Sequence, residues 1–193
     1  VKGGAQIEKG TILLVSDANG CELFQRMNQG DGSLNKEGNN EEPGNTGERF
    51  SQHYGEDLEI TVFQSSVYYI SQPDGGLPQL NRMTHNKSDA ALVEGISDLQ
   101  ICYGIDNDND ASVDDYVEAD TVTDWKDVIA ARVTVVAISP QANVSTGAVT
   151  VEFANCEGGE ETRTSADYPE LAQGRLAQAF TSTIALPNRL LYE

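Results

Sequence analysis

The chain has 193 residues, 38% of them apolar, which is enough for one sizeable core. Its 31 acidic against 12 basic residues leave a formal charge of −19, which repels phosphate backbones and anionic bilayers and argues against direct nucleic-acid binding. The longest apolar stretch, Val128 to Ile138, is broken by Arg132, so no segment reads as a membrane span and the chain is expected to be soluble.

The opening Val1-Lys2-Gly3-Gly4 has neither an initiator Met nor an apolar signal core, as expected of a processed or trimmed product. Thr11 to Val15 is a short apolar run ended by turn residues, and Cys21 to Met27 follows as a second strand. From Asn28 to Glu48 the composition shifts to Gly, Asn, Glu, Asp and Ser. Too little apolar surface is present there to offset the entropy of ordering, so 28–48 is expected to be a long mobile loop. Leu58 to Val62 alternates in period two and Val67 to Ile70 continues the β-branched and aromatic series, as one long strand or two joined at a bend. Pro73-Asp74-Gly75-Gly76 turns the chain into a hairpin partner at Leu77 to Met83.

Leu99, Ile101, Tyr103 and Ile105 alternate as a half-buried strand that an acidic loop interrupts at Asp106. Thr123 to Asp127 suits a single helical turn capped by Thr123, leading into a strand at Ile129 to Ile138. Ala148 to Phe153 alternates again and is expected to be the hairpin partner of that strand. Tyr168 to Phe180 has room for a short helix weakened by Gly174, and Thr181 to Leu186 forms a terminal strand. The predicted class is α+β and strand-dominated, a single domain over 1–193 with an antiparallel sheet, one or two short helices and long loops.

Cys21, Cys102 and Cys156 are odd in number and widely spaced, which argues against a zinc ribbon or a C-x-x-C redox site. One disulfide and one buried thiol is the expected arithmetic. Turn residues beside Cys21 and Cys156 favour that pair, with all three pairings open.

Asp106, Asp108, Asp110, Ser112 and Asp114 fall at positions one, three, five, seven and nine of the acidic loop. Three carboxylates, the Ser112 carbonyl and a ninth-position acid match what calcium wants, about 6 to 8 hard oxygens without strict angles. An EF-hand would have Gly at the sixth position and Glu at the twelfth, where this chain has Ala111 and Val117. An isolated calcium loop between strands, its shell completed by Asp115, Glu118 or a distant carboxylate, is therefore the expectation, with the ion structural. A solvated acidic turn is the alternative.

Catalytic constellations are not evident. His53 and His85 lie in no metal-ligand spacing and are expected at the surface, and no nucleophile elbow, phosphate loop or dinucleotide fingerprint occurs. Trp125, the only tryptophan, is expected as a core anchor beside the acidic loop.

Several ordered segments resemble the PilW-type minor pilins of bacterial type IV pili. They are Thr11 to Asp17 with Glu22 to Gln25, Val67 to Ile70 with Leu80 to Arg82, Leu92 to Gln100 running into Tyr103 to Asp106, Val122 to Trp125, and Phe180 to Arg189. The resemblance implies a pilin-like head whose apolar N-terminal helix, normally the inner-membrane anchor, is missing here. It implies a place at the periplasmic face of the inner membrane and in the cell-surface fimbrium. It also implies other minor and major pilins as partners, a part in pilus assembly, cell adhesion or the tip complex, and no catalytic residues. A secreted calcium-dependent adhesion module is the alternative function.

Overall fold

The computed structural model describes residues 7–29, 33–38, 42–84 and 89–186. The chain divides into two compact units, Val1–Ser66 and Val67–Glu193.

In the first unit β1 (Ile12–Asp17) and β2 (Gly20–Gln25) form a tight hairpin, and β3 (Glu59–Val62) pairs on the other side of β1. The hairpin turn is fastened by the Asp17 carboxylate, which accepts from the N–H groups of Asn19 (2.8 Å), Gly20 (3.1 Å) and Gly55 (2.9 Å). These three donors hold the Asp17 carboxyl below its ordinary range, the Gly55 bond most of all. Leu13, Val15 and Phe24 form the core, with Leu34, Phe50 and Tyr54 packed against it. Phe50 meets Phe24 edge-on at 4.9 Å.

Besides Leu34, the described parts of segment 28–48 are held by polar anchors. The Asn45 side chain accepts from Gln25 N–H (2.6 Å) and donates to the carbonyls of Gln25 (2.8 Å) and Lys36 (2.9 Å), so an amide side chain takes the place of a neighbouring strand. Lys36 is buried, lies over the Phe50 ring and pairs with Glu22. That ammonium, together with the hydroxyl and N–H of Ser51, draws the Glu22 carboxyl down to about 2.

In the second unit the principal sheet has the order β12-β9-β7-β8, with β7 at Ile96–Ile105, β8 at Asp115–Val117, β9 at Val128–Ile138 and β12 at Ala177–Ala185. A separate sheet places β5 (Gln79–Thr84) between β4 (Ser66–Ser71) and β6 (Asp89–Glu94). The turn Pro73 to Gly76 joins β4 to β5 as expected, with Gly76 N–H donating to Pro73 C=O at 3.0 Å. Leu58 to Ile70 is thus two strands, β3 and β4, in different sheets.

β9 alternates apolar residues on both faces, the pattern of a strand covered on two sides. One face meets a hairpin of β10 (Val151–Ala154) and β11 (Glu160–Arg163) and a 3-10 helix at Pro169–Gln173. Val136, Ile138, Val151, Phe153, Tyr168 and Leu171 form this core. The Tyr168 hydroxyl donates to Asp98 at 2.7 Å, and burial together with this contact pushes the phenol pKa upward. Gly174 ends the 3-10 helix in the left-handed region (φ 70°). A Cβ there would lie 2.6 Å from the Ser145 carbonyl, so the residue that weakens a longer helix is the one the termination requires. The pairings β1–β2, β1–β3, β5–β6, β7–β8, β7–β9, β9–β12 and β10–β11 are all antiparallel.

Four expectations are corrected. The short helices reduce to the five-residue 3-10 helix among the described residues: Thr123 to Asp127 is a turn, held by Lys126 N–H on the Asp124 carboxylate. No helix among the described residues is long and apolar enough to cross a membrane. β10 pairs with β11 and not with β9, because both edges of β9 are taken by β7 and β12. The bridge is Cys102–Cys156, with Cα atoms 5.3 Å apart, not Cys21–Cys156. Cys21 is a free thiol and is exposed, not buried.

Candidate functional site

The acidic loop joins β7 to β8. Its mouth is closed by Asp106 N–H on Asp127 C=O and Asp114 N–H on Ile105 C=O, both at 2.9 Å. Asp106 is buried and accepts from the N–H groups of Asp110 (3.2 Å) and Ala111 (3.0 Å). Asn109 (φ 61°) and Ala111 (φ 66°) are left-handed, so the loop makes the sharp sixth-position turn without a glycine. The Asp114 carboxylate accepts from Asn107 N–H at 2.7 Å and so faces inward.

This folding brings Asp106, Asp108 and Asp114 together, each offering an oxygen within 4.8 Å of the others. Oxygens bound to one calcium at about 2.4 Å lie at most about 4.8 Å apart, so the spacing fits one ion. A carboxylate has about four lone-pair sites, and the backbone donors leave some free on each. Asp110 does not join the group. Its carboxylate accepts from Ser112 N–H at 2.8 Å, closing a local turn. Asp115 opens β8, opposite Ile105, and neither it nor Glu118 belongs to the group. His53 is exposed, and His85 lies outside the described residues.

The second feature is the other face of the principal sheet. Register places Leu99, Ile101 and Tyr103 of β7 beside Val135, Val133 and Ala131 of β9, and these beside Phe180, Ser182 and Ile184 of β12. No charged side chain stands among these nine. The face stays open: Phe180 is 56% exposed, Ile184 53% and Ile101 39%. Trp125 is not a core anchor. It is 49% exposed and meets the Tyr103 ring edge-on at 4.9 Å, which extends the apolar surface to the rim of the acidic loop. Contiguous exposed apolar surface of this kind marks an interaction site.

Residues 67–188 match the family model for type IV pilus-assembly protein W. The chain belongs to the PilW family. The match begins at Val67, where the second compact unit begins, and contains the principal sheet, the acidic loop and the open face. Of the segments that carried the resemblance, those from Val67 to Asn188 fall within it, whereas Thr11 to Asp17 and Glu22 to Gln25 fall outside. No curated protein and no solved structure matches the chain. A PilW-family protein takes part in type IV pilus assembly, which makes it a component of the cell envelope that works with other pilus components.

Proposed function

We propose that this PilW-family chain is the non-catalytic, pilin-like head of a minor pilin and acts in the assembly or tip complex of a type IV pilus. The observation that carries the reading is the open apolar face of the principal sheet, which lies within the matched residues and has no charged side chain at its centre. The partners are other minor and major pilins. The head stands at the periplasmic face of the inner membrane, held by an apolar helix ahead of residue 1, and passes into the surface fibre. The charge of −19 keeps nucleic acid off this surface. Full-length protein isolated from the envelope should bring other minor pilins with it, and Ile101→Lys with Val133→Lys should abolish that association while leaving the melting temperature within a few degrees. Undiminished association would refute the docking role of this face.

Calcium is the second part of the proposal, favoured by the convergence of Asp106, Asp108 and Asp114. The ion would neutralise the loop and lock the β7–β8 connection, which is a structural role. Binding to the native state alone stabilises by about 2.7 kcal/mol at one hundred times the dissociation constant. Calcium should therefore raise the melting temperature, and Asp108→Ala should abolish the rise. Asp108 is the cleaner choice, because it is exposed and accepts only from Asp110 N–H, at 3.3 Å, whereas buried Asp106 caps two backbone N–H groups and its loss destabilises the loop with or without an ion. A flat calorimetric titration would end the calcium reading and leave the pilus reading standing.

A further inference from the structure

β12 is the outermost strand of the principal sheet, and among the described residues nothing pairs with its outer edge. Two bonds fix the phase of its ladder with β9. Ser139 N–H donates to Leu176 C=O at one end and Leu186 N–H to Ile129 C=O at the other. Both pairs keep the register in which Ala177 faces Ile138 and Ala185 faces Ala130. In an antiparallel ladder the backbone groups alternate in direction. Even-numbered residues of β12 therefore point N–H and C=O at β9, and Ala177, Ala179, Thr181, Thr183 and Ala185 point theirs outward.

Within β12 itself there is no Pro, Gly or charge, the sequence devices that most often block strand addition. The edge asks for an extended polypeptide, since only another strand supplies alternating donors and acceptors at that spacing.

We infer that the occupant is β12 of a second copy of this chain, paired antiparallel about a two-fold axis beside Thr181. The outward groups are symmetric about that residue. Thr181 meets Thr181, Ala179 of one copy meets Thr183 of the other, and Ala177 meets Ala185, so every outward group finds a partner in one closed arrangement. Side chains agree with this register. On the open face, Phe180 of one copy stands opposite Ser182 of the other and diagonal to the second Phe180, about 7–8 Å away, within reach of two aromatic rings. Charge agrees as well. Two molecules of −19 repel, and a nine-residue strip with no charged residue is where they approach with the fewest like charges opposed. The backbone bonds of the pairing run along the edge of the sheet, with Phe180 and Ser182 at the border of the open face, and the inference does not rest on the pilus reading.

Sedimentation velocity of the 193-residue chain tests it, over a concentration series at low and high salt. The expected result is a monomer–dimer equilibrium that shifts toward dimer as salt screens the repulsion. Thr183→Pro should be monomeric throughout with the wild-type melting curve, because the Thr183 N–H points outward and its loss removes no bond to β9. Phe180→Lys, at an exposed position, should lose the dimer at low salt, and it decides the matter if Thr183→Pro melts early. A wild-type chain that stays monomeric at every concentration and salt overturns the inference. So does a dimer that survives either variant. Neither outcome bears on association with other pilins, so the two readings fail separately.

Discussion

Removing the Cys102–Cys156 bridge is expected to lower the stability of the second unit by about 4 kcal/mol. The two cysteines stand 54 residues apart, and closing a loop of that size removes chain entropy from the unfolded state worth about this much. The bridge runs from β7, on the covered face of the principal sheet, to the turn after β10, and so ties the covering hairpin to the sheet beneath it. Urea unfolding followed by Trp125 fluorescence is the measurement, since the one tryptophan lies against Tyr103 of β7. The Cys102→Ala/Cys156→Ala double variant should unfold at clearly lower urea than the oxidised wild type, and reduced wild type should behave like the variant. Cys21→Ser should change nothing, because that thiol is exposed and unbridged. Superimposable curves would contradict the assigned pairing.

Phe153→Ala is expected to cost about 3–5 kcal/mol, the usual range for deleting a buried aromatic ring. Phe153 is 7% exposed and packs in the cluster of Val136, Ile138, Val151, Tyr168 and Leu171, which joins the β10–β11 hairpin and the 3-10 helix to the sheet. Phe180→Ala, 56% exposed on the opposite face, should fall within about 0.5 kcal/mol of wild type, as surface changes usually do. The contrast between a phenylalanine of the covering hairpin and one on the open face of β12 checks the sidedness of the sheet. Equal losses in the same urea assay would mean that the open face is packed in solution.

Local patterns were legible where the forces are local. The alternation of Leu99, Ile101, Tyr103 and Ile105 gave β7, the Pro73 to Gly76 turn gave the β4–β5 hairpin, and the breakdown of apolar pattern at Asp106 gave the acidic loop. Pairings decided at long range were not. Nothing near Ala148 to Phe153 says that β9 is already saturated by β7 and by β12, a strand some forty residues downstream, so the nearest-neighbour hairpin was the wrong inference. The disulfide failed for the same reason: turn residues near Cys21 are a local signal, whereas bridging needs Cα atoms within reach, a property of the assembled sheet.

The candidate metal loop was legible in part. Spacing grouped Asp106, Asp108 and Asp114 in one loop, but could not reveal that Asp110 spends its carboxylate on Ser112 N–H. In segment 28–48 composition correctly showed a lack of apolar residues. It missed that Asn45, Gln25 and the buried Lys36–Glu22 pair supply polar anchors in their place. The open face went unseen because exposed apolar residues on a strand look, in sequence, like core. Only the register shows which alternation meets the hairpin and which meets solvent.

The central claim, that this PilW-family chain is a pilus subunit working through the open face of its sheet, is tested most directly by counting surface pili by electron microscopy in a strain deleted for the gene. Complementation with the wild-type gene should restore the lost pili, and complementation with the Ile101→Lys/Val133→Lys gene should not, at equal protein levels. Normal piliation in the deletion strain, or full rescue by the doubly substituted gene, would contradict the account.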